Sequence, residues 1–407
     1  MQLFAALRQR PFALLWSGQT ISRFGDSLYR IALVWWVLEK TGSAAQMGLV
    51  TFFSLTPTIL FLLIGGVAVD RFPRRLIMLL SDIFSGLVVA AVAVLAYAQY
   101  LEVWHIYLAS LLFGFVEAFF FPAYAAIVPE ITPAAALPSA NSLTDLSRQL
   151  MGIAGPAIGA TIVALGGTPL AFTIDALSFV ASAVCLALMG RAPMQGRESP
   201  KPATSAQHPF ADLCEGVRLV FQSPWLWITI VIFGFINVTA NGPFSVVLPL
   251  FIKTNLRLEV GAFGLAQSIY SITSVLTAIW MGRLVRLRRR GLTAYLATAL
   301  SGLAGLLVGL SSHILGVFIA SVLRGLGIMV FGLIWTNTLQ ELIPRDKLGR
   351  VASIDALGSF LFIPIGYTFA GWAADRFGAP SVFLYGGVAT ITLCLLALAH
   401  PAIRNLD

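Results

Sequence analysis

The sequence predicts an all-α polytopic membrane protein with twelve transmembrane helices in two pseudo-symmetric six-helix bundles. Three observations predict it: composition, the sorting of basic residues by loop, and an internal repeat. Of 407 residues, 58% are apolar and 11% charged, against about 25% charged in a soluble domain. Long, nearly charge-free runs stand at 49–69, 76–98, 153–167, 224–252 and 292–310. Each matches or approaches the roughly 20 helical residues that cross a hydrocarbon core. In lipid, backbone polar groups must be satisfied within the segment, so the spans are helices. The alternating pattern of a membrane barrel is absent.

The spans fall at 12–37, 45–69, 76–98, 103–128, 142–166, 169–190, 224–252, 261–282, 291–311, 314–339, 350–373 and 379–399. Arg8 and Arg10 precede the first apolar run, which extends past Trp36 with no small-residue cleavage site. It reads as a retained span, not a signal peptide. With both termini placed in the cytoplasm, 18 of the 26 Lys and Arg residues fall in inner segments. Only Lys40, Lys253, Arg257 and Arg376 fall in outer loops. This is the positive-inside bias. The net charge of +8 is therefore topological, and no nucleic-acid partner is expected. Cys185 and Cys394 lie in apolar spans and Cys214 in a polar loop, so no disulfide framework is indicated.

Residues 192–223 form the long polar stretch of the chain, with Pro193, Pro200, Pro202 and Pro209. They read as a cytoplasmic linker between an N-terminal six-helix bundle, 1–191, and a C-terminal one, 224–407. Sliding the chain on itself by 211 positions gives 15 identities in 64 between 109 and 172. Pro-Glu-Ile-Thr-Pro at 129–133 meets Gln-Glu-Leu-Ile-Pro at 340–344, and Gly167, Pro169 and Phe172 meet Gly378, Pro380 and Phe383. Duplicated halves commonly enclose a transporter's midplane site.

Between spans two and three stands Gly66-Val-Ala-Val-Asp70-Arg71-Phe-Pro-Arg74-Arg75. It resembles the loop signature of the major facilitator superfamily, with Pro73 where glycine is usual. Gly66 would let two helices approach, and Asp70 would sit near a helix N-terminus or pair with Arg74. The second-half equivalent, Gly282 to Arg286, keeps the glycine and lacks the acid. Gly155-Pro156-Ala-Ile-Gly159 in span five looks like the Gly-Pro motif of proton-coupled exporters, where small residues and a proline permit close, kinked packing. Leu15-Trp-Ser-Gly-Gln19 with Gly25-Asp26, Thr41-Gly-Ser43, and Thr338-Leu-Gln340 through Pro344 to Gly349-Arg350-Val351 resemble the branch of enterobactin exporters and macrolide-efflux proteins. The resemblance implies the cytoplasmic (inner) membrane of a bacterium, an amphipathic small-molecule substrate, protons as coupling ion and a monomer among membrane lipids.

Ionisable residues inside a membrane are functional candidates by default. Gln19, Arg23, Asp26 and Arg30 recur every three or four residues and so share one face of span one. Asp26 lies about 20 Å along that helix, as a substrate contact or proton carrier, or else as an internal partner of Arg23 and Arg30. Glu117 lies among Phe113, Phe120, Phe121 and Tyr124 of span four. Aromatic neighbours suit an apolar or cationic ligand. The alternative is an ion pair with Arg148 or Arg324. Arg324 in span ten would meet Glu117 or an acidic substrate group. Asn237 and Asn241, four apart in span seven, would add polar contacts to the cavity or bond helix to helix. Asp145 with Arg148, and Asp355, stand near inner helix ends, where helix-start electrostatics or gating between the halves is expected. Asp82 would support the loop motif, and Asp175 would make a structural hydrogen bond.

No lysine follows a glycine, so a phosphate-binding loop is absent, and neither a Cys/His metal cluster nor a hydrolase elbow occurs. No cofactor, metal or enzymatic activity is expected. The sequence reads as a secondary transporter, a proton-coupled exporter of amphipathic drugs. Two other readings stay open: a siderophore or lipid exporter that holds an anionic head group on interior arginines, and a non-transporting receptor or scaffold of the same fold.

Overall fold

The computed structural model describes residues 4–190, 217–283 and 289–407, so residues 192–216 of the expected linker, and Arg286, lie outside the described residues. Ten helices among the described residues are long and apolar enough to cross a membrane. They account for eleven of the expected spans. Span two is the helix Ala44–Arg71, span three Arg74–Tyr97 and span four Val103–Ile131. Leu137–Leu188 holds spans five and six, because Gly167 breaks it with φ 74°. The chain reverses there: Trp16 touches Leu143 and Gln19 touches Ser182, although 39 residues separate those partners. Spans seven to twelve are Pro224–Thr254, Val260–Met281, Arg290–Leu310, Ile314–Leu342, Lys347–Phe377 and Ala379–Ala399. The remaining span is Arg10–Thr41, a 32-residue helix whose Arg23, Asp26 and Arg30 dilute its apolar character. It ends where Gly42 takes a left-handed φ of 65° and returns its N–H to Leu38, a conformation that costs glycine little.

Two compact units emerge. One comprises Met1–Gly42, Leu49–Arg197 and Glu259–Ser268, the other Ser43–Gly48, Glu198–Leu258 and Ile269–Asp407. In the first, span one packs against spans five and six. Trp16 donates to the Leu143 carbonyl (3.2 Å), Thr20 bonds Ser147 (3.2 Å), and the Gln19 amide donates to Ser182 (2.9 Å). Phe12, Leu15, Met78, Ile127, Leu143 and Leu186 form an apolar core at one end. In the second unit, Phe233 stacks on Phe331 with centroids 3.7 Å apart, and Tyr295 donates to Thr229 at 2.9 Å. Leucines such as Leu60, Leu87 and Leu165 face outward, where lipid covers them at no cost.

The repeat extends to individual contacts. Tyr124 donates to Thr144 at 3.5 Å, and 211 residues later Trp335 donates to Asp355 at 2.9 Å. Thr58 donates to the Gly114 carbonyl (2.9 Å) as Ser274 does to that of Gly325 (3.4 Å). Arg74 pairs with Glu130 as Arg290 pairs with Glu341. The break at Gly167 recurs at Gly378, φ 86°, each two residues before a proline. Span seven is irregular, with π-helical turns over Asn237–Asn241 and Pro243–Val247. Such turns often mark functional sites.

Candidate functional site

The first unit brings the acidic candidates together. Phe113 meets Tyr29 of span one (5.5 Å) and Phe179 of span six (6.0 Å), while Phe120 stacks with Tyr124 at 6.2 Å. Phe113, Phe120 and Tyr124 thus share the face of span four turned to span one, and Glu117 follows Phe113 by one helical turn on that face. Phe121 is exposed on another face. From span one, the Arg23 guanidinium lies over the Tyr124 ring at 5.1 Å and donates to the Thr144 carbonyl at 3.3 Å. Asp26 has Arg30, Glu117 and Arg23 as charged neighbours, and Glu117 has Arg30. Neither carboxylate forms an ion pair within 4.0 Å among the described residues. Gln19 departs from the shared face, because Ser182 captures its amide.

Two more carboxylates stand behind this face. Asp175 is fully buried, accepts from Ser178 Oγ at 3.3 Å and packs on Gly25, beside Asp26. Asp82, 2% exposed, lies beside Ser182 of span six. Each keeps a buried Oδ2 with no partner among the described residues.

The loop motif differs from expectation at Arg74 and at its glycine. Arg74 pairs with Glu130 of span four and leaves Asp70 exposed, without a partner among the described residues. The close helix approach falls at Gly65, packed on the Ala118 carbonyl, while Gly66 faces open space. Arg75 caps span six, donating to the carbonyls of Leu186 (2.6 Å), Ala187 (2.7 Å) and Gly190 (2.7 Å). A cation there also complements the helix dipole. Arg71 is exposed.

In span five, Gly155 lies on Ser27, Gly159 lies on Leu28 and Ile31, and the Pro156 carbonyl abuts Gly264. The small residues of the motif therefore serve close helix packing. Arg148 pairs with Asp145 at 2.9 Å, both exposed, and so is not the counter-ion of Glu117. Such i,i+3 pairs contribute about 0.5 kcal/mol or less.

The second unit holds a chain of polar contacts. The Asn237 amide donates to the Ser359 carbonyl (2.7 Å), the Asn241 amide donates to Asn237 Oδ1 (2.7 Å), and Arg324 Nη2 donates to Asn241 Oδ1 (3.2 Å). Asp355 accepts from Trp335 at 2.9 Å and from Ser359 at 3.4 Å. Phe244 and Tyr270 flank the Arg324 guanidinium at 4.8 and 4.5 Å.

Sequence reasoning missed Glu130 and Glu341, although their identity at the repeat offset was the available signal. It also missed Asp375. Gly371-Trp-Ala-Ala-Asp375-Arg376-Phe377 echoes Gly66-Val-Ala-Val-Asp70-Arg71-Phe72. Within the second unit, Asp375 accepts from Ser43 Oγ (2.5 Å), Ala44 N (2.8 Å) and Ala45 N (3.1 Å), and so caps the start of span two.

Comparison with known proteins agrees with this architecture. The chain is similar to the multidrug efflux pump Tap of Mycolicibacterium fortuitum, 27% identical over 98% of both chains. It is also similar to macrolide efflux protein A of Streptococcus pyogenes, 23% identical over 97% of both. Among solved structures, a bacterial homologue of the human lysosomal transporter Spinster, inward-facing and unoccupied, shares the fold with TM-score 0.72 and 16% identity, covering 99% of this chain and 98% of that one. A POT family transporter in complex with 5-aminolevulinic acid gives TM-score 0.75 at 15% identity, covering 96% of each. The sequence profile described as Major Facilitator Superfamily matches residues 15–361 and 231–403. The chain is an integral membrane protein that belongs to the Major Facilitator Superfamily of transporters, not an enzyme.

Proposed function

We propose that this transporter exports amphipathic small molecules by proton antiport, with alternating access between its two six-helix halves, residues 1–191 and 224–407. The observation that carries the reading is the proximity of Asp26 and Glu117 on facing sides of spans one and four, with no short ion pair among the described residues to neutralise either. Charged carboxylates in a membrane interior are costly, so a proton or a substrate cation relieves the same cost. Competition between the two couples them. Tyr29, Phe113, Phe120 and Tyr124 supply ring faces for an apolar or cationic body, and Arg23 and Arg30 add positive charge near the carboxylates without pairing with them. The names of the relatives, a multidrug efflux pump and a macrolide efflux protein, support export. Asp70, Arg71, Arg74, Arg75, Asp145, Arg148 and Asp355 act at helix ends in the conformational cycle. The basic-residue pattern supports both termini on the cytoplasmic side of a bacterial inner membrane, with the protein working as a monomer among its lipids.

The test uses the full chain in proteoliposomes, with ethidium as probe and an imposed pH gradient. Gradient-driven efflux is expected to vanish when Glu117→Gln and Asp26→Asn are combined, while downhill equilibration persists. Gradient-driven efflux that survives the double substitution overturns the assignment.

A further inference from the structure

We infer that the second unit contains an anion subsite centred on Arg324, which takes the carboxylate or phosphate group of an amphipathic ligand. The inference rests on the exporter reading and adds to the apolar or cationic body of its substrate a second recognised group, an acidic one. Arg324 lies about a third of the way along span ten and is 9% exposed. A guanidinium remains charged in any protein setting, and a charge at this depth needs compensation.

Four carboxylates of the unit are engaged elsewhere. Glu341 pairs with Arg290, Asp355 accepts from Trp335 and Ser359, Asp375 caps span two, and Asp407 accepts from the Arg289 backbone. What Arg324 has instead is a neutral frame. Phe244 and Tyr270 flank it, Tyr367 lies near it and Asn241 takes one N–H. Its Nε is buried with no partner, and Nη1 makes no bond to a described residue.

Ring contacts compensate a cation only in part and leave its in-plane N–H edge free. That edge matches the two oxygens of a carboxylate or phosphate. The frame is also positioned. Asn241 is fixed by Asn237, and Asn237 by the Ser359 carbonyl, so the guanidinium is oriented before any ligand arrives. The repeat sharpens the point, because the equivalent position in the first half is Phe113. The duplicated scaffold has placed a cation where its twin has a ring.

Binding of 2-naphthoate and of its neutral isostere 2-naphthamide to the full chain in phosphatidylcholine nanodiscs tests the subsite. Charge-assisted hydrogen bonding predicts that naphthoate binds about tenfold tighter or better. In Arg324→Gln the preference should fall below about twofold with naphthamide affinity unchanged. Asn241→Asp, which places a carboxylate beside an intact arginine, should suppress the preference too and guards against a misfolded first variant. Nanodiscs containing phosphatidylglycerol separate two sources of the anion. Competition seen in wild type and lost in Arg324→Gln identifies a lipid head group, and its absence identifies a soluble substrate group. Equal affinity for the two probes in wild type, or a preference that persists in either variant, overturns the subsite. Ethidium efflux measured on the same protein keeps the readings apart: a naphthoate preference without gradient-driven efflux sinks proton antiport and leaves the subsite standing.

Discussion

Arg290 and Glu341 form an ion pair at 2.6 Å that reproduces, in the second half of the chain, the pair between Arg74 and Glu130. The arginine opens a span and the acid closes the next one in both cases. The two pairs differ in burial. Arg74 and Glu130 side chains are 11% and 30% exposed, and those of Arg290 and Glu341 18% and 57%. Glu130→Gln strands a largely buried arginine and should cost about 1–3 kcal/mol. Glu341→Gln, at a wetter acid, should cost about 1 kcal/mol or less. Thermal melts of the purified variants in detergent check the order, and equal losses would show that burial does not set the strength of these pairs.

Arg75 holds three carbonyls at the end of span six through three of its N–H groups. Arg75→Gln should destabilise the protein by about 2 kcal/mol, because helix-end carbonyls lose charged donors. Arg75→Lys should recover little, since a point charge cannot span three acceptors in a fork. Hydrogen exchange at 186–190 reads the effect locally: faster exchange in both variants is expected, and lysine rescue would point to charge alone.

The twelve-span architecture was legible because it rests on composition, and lipid enforces the rest. The repeat was legible from Gly114, Glu130, Pro133 and Gly167, and the structure extends it to pairs whose members differ, such as Tyr124–Thr144 against Trp335–Asp355. What sequence spacing could not supply was the partner across spans. Helical periodicity places Gln19 on the face of Asp26, yet a serine 163 residues away takes its amide. Arg74 stands four residues from Asp70 and chooses Glu130, 56 residues on. Asn237 and Asn241 were the exception: their four-residue spacing brought their side chains together.

Asp375 caps span two from 331 residues away. Asp375→Asn keeps an acceptor and should lose only part of the cap, while Asp375→Ala should lose about 0.5–2 kcal/mol. Ser43→Ala, which removes one of three donors, should fall between wild type and Asp375→Ala. Protection of the amides of Ala44 and Ala45 from exchange measures the cap directly, and unchanged protection in Asp375→Ala would exclude it.

Two adjacent glycines in the loop motif have different surroundings. Motif reading assigns the close helix contact to Gly66, but geometry assigns it to Gly65. A Cβ at Gly65 would collide with the backbone oxygen of Ala118, and one at Gly66 would meet nothing within 4 Å. A backbone oxygen cannot rotate away as a side chain can, so Gly65→Ala must push span two off span four and lose packing along the contact. Overpacking of this kind costs about 1–3 kcal/mol. Gly66→Ala removes a flexible residue from a helix interior without a clash, and should be neutral or stabilising by up to about 1 kcal/mol. Gly65→Ala therefore lowers the melting temperature while Gly66→Ala leaves it unchanged or raises it, although the two add the same methyl group one residue apart. If Gly66→Ala lowers stability as much as Gly65→Ala, the glycine of the motif has a packing partner that this arrangement of spans two and four does not contain.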